Sequence, residues 1–111
     1  MTKTYIVKIT GQAQQQMQEI THYIARELKA PDAALHLLGT LEKAISSLSY
    51  FPQRVLLTDE EPWHSSGIHR LSAKNFLIYF WIDEENLKVQ VIAVIYEKRD
   101  QIQQLFQVDL E

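Results

Sequence analysis

Two dense apolar runs dominate the last third of the chain. They are Phe76-Leu77-Ile78-Tyr79-Phe80-Trp81-Ile82 and the stretch from Leu87 to Ile95, separated only by Asp83-Glu84-Glu85-Asn86. β-branched and aromatic residues crowd both runs and the break is short and polar, so the pattern predicts a β-hairpin. Gly67 to Ser72 reads as a further strand, joined to the hairpin by an Ala73-Lys74-Asn75 turn. Near the start, Tyr5, Val7 and Ile9 alternate with Thr4, Ile6 and Lys8, which predicts a first strand. The period then changes. Ala13, Met17, Ile20, Ile24 and Leu28 recur every three or four residues, the apolar stripe of a helix from about 12 to 29. Ala30-Pro31-Asp32 breaks it, and Ala34, Leu37, Leu38, Leu41, Ile45 and Leu48 mark a second helix ending near Ser49. So short a break predicts an antiparallel helical hairpin.

Phe51-Pro52 closes that unit, and Gln53 to Ser66 reads as loop, with Trp63 as an apolar lid. Val55-Leu56-Leu57 has strand character but is assigned to the loop. Beyond Asp100, Ile102, Leu105 and Phe106 fall at helical spacing and predict a short last helix. The expected fold is α+β, one domain over residues 1–111. An N-terminal strand precedes an antiparallel helical hairpin packed on a mostly antiparallel β-sheet, and a short C-terminal helix follows.

Composition narrows the options. A chain of 111 residues with 46% hydrophobic content is long enough to bury a core of its own. It has no cysteine, which excludes disulfides and thiolate metal sites. The first residues lack the apolar core of a secretory signal, and no run approaches the roughly 20 apolar residues of a membrane span. A soluble, cytoplasmic protein is expected. Net charge is −3, from 11 basic and 14 acidic residues. That balance argues against a large nucleic-acid footprint, where phosphate neutralisation supplies much of the affinity.

Candidate chemistry collects where the last strand ends, because apolar density stops at Ile95 and Tyr96-Glu97-Lys98-Arg99-Asp100 follows. Arg54, Arg70 and Arg99, with Lys74 and Lys98, form a candidate cationic set, since a guanidinium binds phosphate or carboxylate in a two-pronged fork. Surface ion pairs with the acids are the plainer account of each. Tyr96 is a candidate proton donor, base-stacking ring or sheet-edge residue. His22 and His36 read as solvated helix positions. His69 adjoins Arg70 on a strand and is a secondary general-base candidate. The four histidines show no metal spacing, and there is no glycine-rich phosphate loop and no Ser/His/Asp spacing, so neither metal nor cofactor is expected.

Four segments together resemble a known family. They are Leu48-Ser49-Tyr50-Phe51-Pro52-Gln53-Arg54, Gly67-Ile68-His69-Arg70-Leu71, Asn75-Phe76-Leu77-Ile78-Tyr79, and Val91 through Tyr96-Glu97-Lys98-Arg99-Asp100. In order and character they resemble the RelE/ParE superfamily, the toxins of bacterial type II toxin–antitoxin pairs, over nearly the whole chain. The resemblance implies growth arrest, a cognate antitoxin that wraps the toxin, and one of two targets. ParE-like members poison DNA gyrase and are not enzymes; RelE-like members cut messenger RNA on the ribosome. The RelE pattern carries over poorly. His69 and Arg70 stand where that branch has lysines, Phe76 where it has an arginine, and Leu105 and Phe106 where its tail has a tyrosine or histidine. Tyr96 stands where many ParE-like members have histidine, and the long helical hairpin favours the same branch. The site residues implied are Arg70, Tyr96 and Arg99, with His69 and Lys98 secondary. A non-toxic interaction domain that binds only an antitoxin-like partner is the reading from another class.

Overall fold

The computed structural model describes residues 3–97. Strand β1 (Ile6–Ile9) leads into helix α1 (Gly11–His22), and helix α2 (Pro31–Ser46) follows. The chain then forms β2 (Ile68–Ala73), β3 (Phe76–Asp83) and β4 (Lys88–Tyr96). These make one four-stranded sheet in the order β1-β4-β3-β2, with β1 parallel to β4 and the other pairs antiparallel. The α+β fold expected from the sequence is therefore present; the expected C-terminal helix lies outside the described residues.

Thr10 opens α1 by accepting the Ala13 amide on its hydroxyl, 3.2 Å away, satisfying one of the donors that a helix start leaves free. The periodic stripe holds to 27, but its last turn, Tyr23–Glu27, widens to a π-helical turn. Leu28 N–H donates to the Tyr23 carbonyl and Ala30 N–H to that of Ile24. Lys29 takes a positive φ of 51°, the connection turns, and Pro31 starts α2, where its missing N–H costs nothing. Helix α2 tightens into a 3-10 turn at Ser47–Ser49. Arg54 caps this end by donating to the carbonyls of Tyr50 (2.7 Å) and Phe51 (3.0 Å) and to the Ser47 hydroxyl (3.0 Å). Its guanidinium is thus committed to structure, and the expected cationic set loses a member.

The helices cover one face of the sheet. Ile20, Ile24, Leu41, Ile45 and Leu48 pack there against Phe76, Ile78, Phe80, Val89, Val91 and Val94. Along β3 the alternation is regular, with Phe76, Ile78 and Phe80 buried and Leu77, Tyr79 and Trp81 on the other side. Strand β4 is not regular. Tyr79 pairs with Ala93 and Phe80 with Val91, so Ile92 is an extra residue and the strand bulges there. Because side chains alternate with a period of two, one extra residue reverses the faces beyond it.

The bulge falls just past the end of β1, where β4 loses its partner on that edge. There the Val94 N–H donates to the side-chain carbonyl of Gln16 on α1, 2.8 Å away. Leaving that buried donor unpaired carries the full desolvation cost of an amide. Gln16→Leu is therefore expected to lower stability by about 1–3 kcal/mol, read as a fall in the urea midpoint.

Candidate functional site on the open face of the sheet

The face of the sheet turned away from the helices carries Arg70 and Ser72 from β2, Leu77, Tyr79 and Trp81 from β3, and Ala93 and Ile95 from β4. The segment from Thr58 to Gly67 folds over part of it. Several bonds hold this loop. Thr58 N–H donates to the Ile68 carbonyl (2.9 Å), Ile68 N–H to that of Trp63 (3.0 Å), and His64 Nδ1 to that of Thr58 (2.9 Å). Gly67 closes it at φ 77°, a conformation that glycine reaches without strain. Between loop and sheet lies a cavity of about 300 Å³ lined by Trp63, Arg70, Tyr79, Ile92, Ala93 and Ile95, and also by Thr58, Glu60 and Gln12. Trp63 is 46% exposed and acts as the expected lid. The Val55–Leu57 stretch forms no strand with β2 but meets it at the bridge of Leu57 with His69 and through the Arg70 N–H, which donates to the Leu56 carbonyl at 3.2 Å.

The sequence-expected site residues do not converge. Arg70 is exposed on the open face beside Tyr79. Its neighbour His69 points the other way. Its ring stacks on Phe80 with centroids 5.1 Å apart, and its Nδ1 donates to the Val55 carbonyl at 2.8 Å. Those contacts make His69 a strut between the loop and the core. Tyr96 is also turned inward, 8% exposed, with its ring 5.0 Å from that of Phe76. Tyr96 and Arg70 thus lie on opposite faces of the sheet, and Tyr96 is a core residue rather than a group at the lip. Arg99 and Lys98 lie outside the described residues. Among those described, no group of three histidines and carboxylates is placed to hold a metal, and no helix is long and apolar enough to cross a membrane.

Burial, reinforced by the neighbouring Tyr23, pushes the Tyr96 hydroxyl above its ordinary value near 10. A raised folded-state value means that the folded protein holds the proton more tightly than the unfolded chain does. Stability is then full below about pH 10 and falls as pH climbs from there toward the folded-state value. Tyr96→Phe is expected to keep the fold and to flatten this alkaline decline, measured as urea midpoints between pH 8 and 11.

The family model for the ParE toxin of type II toxin–antitoxin systems, parDE, matches residues 7–101. This chain belongs to that family. Solved structures agree at the level of the fold. A chain of the chromosomal ParDE toxin–antitoxin system from P. aeruginosa superposes with a TM-score of 0.67 at 18% identity, covering 85% of this chain and 97% of that one. The RelBE2 toxin–antitoxin complex from Mycobacterium tuberculosis contains a chain at TM-score 0.60 and 19% identity, covering 84% and 91%. No curated protein matches significantly.

The ParE toxin match spans every sequence-expected site residue, from His69 and Arg70 through Tyr96 to Lys98 and Arg99. It also spans the residues that sequence reasoning missed. Thr58, Glu60 and His64 sit in an irregular loop, and the signal that could have singled out this loop was its density of prolines, aromatics and acids around Trp63. As a ParE-family toxin fold, the chain presents a preformed, mostly apolar cavity with one cation, Arg70, and one acid, Glu60, among its described lining residues.

Proposed function

We propose that this protein arrests bacterial growth as the toxin of a type II pair, that a cognate antitoxin neutralises it, and that its target is DNA gyrase. The family match over residues 7–101 carries the reading. The ParDE and RelBE2 structures, each belonging to a toxin–antitoxin system, support an antitoxin as partner. The make-up of the open face favours gyrase over messenger RNA. Cutting RNA requires several groups that stabilise charge on a phosphate and move protons. Among the described residues that line the cavity, Arg70 is the one cation and Glu60 the one acid, while His69 is turned into the core. An apolar face of this kind suits contact with protein.

Pulse-labelling after induction tests the target. DNA synthesis should fall first, with cleaved DNA trapped on gyrase and a DNA-damage response, while protein synthesis continues. Protein synthesis that stops within minutes, with cut messages on ribosomes, would transfer the assignment to the ribonuclease branch. Unimpaired growth at a verified soluble level would leave an antitoxin-binding domain without toxicity.

A further inference from the structure

We infer that the cavity under Trp63 is the anchor site for an extended segment of the antitoxin, which inserts one large apolar side chain and sets a carboxylate against Arg70. The inference rests on reading the chain as the toxin of an antitoxin pair, and adds where and by what chemistry that partner is held.

Two features define the occupant. The floor and wall are apolar, formed by Ile92, Ile95, Tyr79 and Trp63, and a space of about 300 Å³ is at the small end of ligand pockets. It suits a single aromatic or large aliphatic side chain better than a whole cofactor. The Arg70 guanidinium, exposed at the rim, has no hydrogen-bond or ion-pair partner among the described residues, so it offers an unspent charge to a carboxylate.

Glu60 refines the pattern. A carboxylate in the lining repels a uniformly acidic ligand and accepts from a donor, so the segment carries an amide or hydroxyl beside it. A polynucleotide fits poorly, because among the described lining residues its phosphates would meet Glu60 and one arginine. An extended peptide supplies all four elements within a few residues: an apolar anchor, an acid, a donor and backbone amides. The loop is already fixed by its bonds to β2, so little ordering is needed on binding, which favours affinity.

The two tryptophans make the test direct. Trp81 is replaced by phenylalanine, so that Trp63 alone reports. The toxin, co-expressed and co-purified with its cognate antitoxin, is freed by denaturant, refolded, and titrated with synthetic peptides covering the antitoxin. One peptide should shift Trp63 emission to shorter wavelength. Ala93→Phe, which fills the cavity from the sheet side, and Arg70→Glu should each weaken that binding at least tenfold in proteins whose circular dichroism is unchanged. Affinity altered less than twofold by both variants, or emission that no peptide shifts, would overturn the inference. So would a shift produced by single-stranded RNA, or by raising toxin concentration alone, since the occupant would then be nucleic acid or a second copy. Growth arrest by the wild-type chain and its relief by the antitoxin are scored separately. Arrest with relief but an insensitive Trp63 rejects only the cavity assignment, whereas absence of arrest rejects the toxin reading itself.

Discussion

Phe80→Ala is expected to lower stability by roughly 3–5 kcal/mol, the usual cost of truncating a fully enclosed aromatic side chain. Phe80 is 0% exposed, at the centre of the sheet. It is paired with Val91 beside the bulge and covered by the stacked His69 ring. The space left would have a β-strand on each side and the helices above, none of which can close onto it. Small domains hold only about 5–15 kcal/mol in total, so the variant should unfold at a much lower urea concentration and lose activity by loss of folded protein. Trp81, one residue further along, is 40% exposed on the opposite face, and Trp81→Ala should cost less than about 1 kcal/mol. Similar costs for the two would contradict the face assignment of β3.

The strand itself was legible in the sequence, but its faces were not, because every side chain from Phe76 to Ile82 is apolar or aromatic and only the packing separates them. The helical hairpin was legible because apolar spacing marks both stripes and Pro31 marks the break. Tyr96 shows where pattern reading stops. Counting by twos from Val89 and Val91 places Ala93 and Ile95 inward and Tyr96 outward, at a functional lip. The extra residue at Ile92 reverses that phase. Val94 and Tyr96 then face the core, while Ile95 is 41% exposed. Nothing in the run Val91-Ile92-Ala93-Val94-Ile95 advertises the bulge, since every side chain there is apolar. What fixes it is an amide bonded to Gln16, 78 positions away in sequence. The cavity was hidden for a related reason. Thr58, Trp63 and Arg70 come together only because the loop bonds to the edge of β2, and no periodicity records such a path.

Arg99→Ala is expected to abolish growth arrest while leaving the protein folded. The packing of β4 is complete before this residue: Tyr96 fills its place against Phe76, and the Glu97 N–H still donates to the Asn75 carbonyl at 2.8 Å. No described core contact therefore depends on the side chain at 99, and circular dichroism and the urea midpoint should be unchanged within about 0.5 kcal/mol. Function is the larger effect. An arginine that pairs with a charge on the target and is covered in the complex typically costs about 2–5 kcal/mol when truncated. At 1.4 kcal/mol per tenfold, that is a loss of roughly 30-fold to a few thousand-fold in target affinity. A growth assay over graded induction reads such a change as loss of toxicity at any attainable level of toxin. Arg99→Lys separates charge from geometry: partial toxicity would mean that charge alone suffices, and none would mean that the guanidinium fork is required. Toxicity retained by a folded Arg99→Ala protein would remove Arg99 from the site and leave Arg70, on the open face, as the cation on which target binding depends.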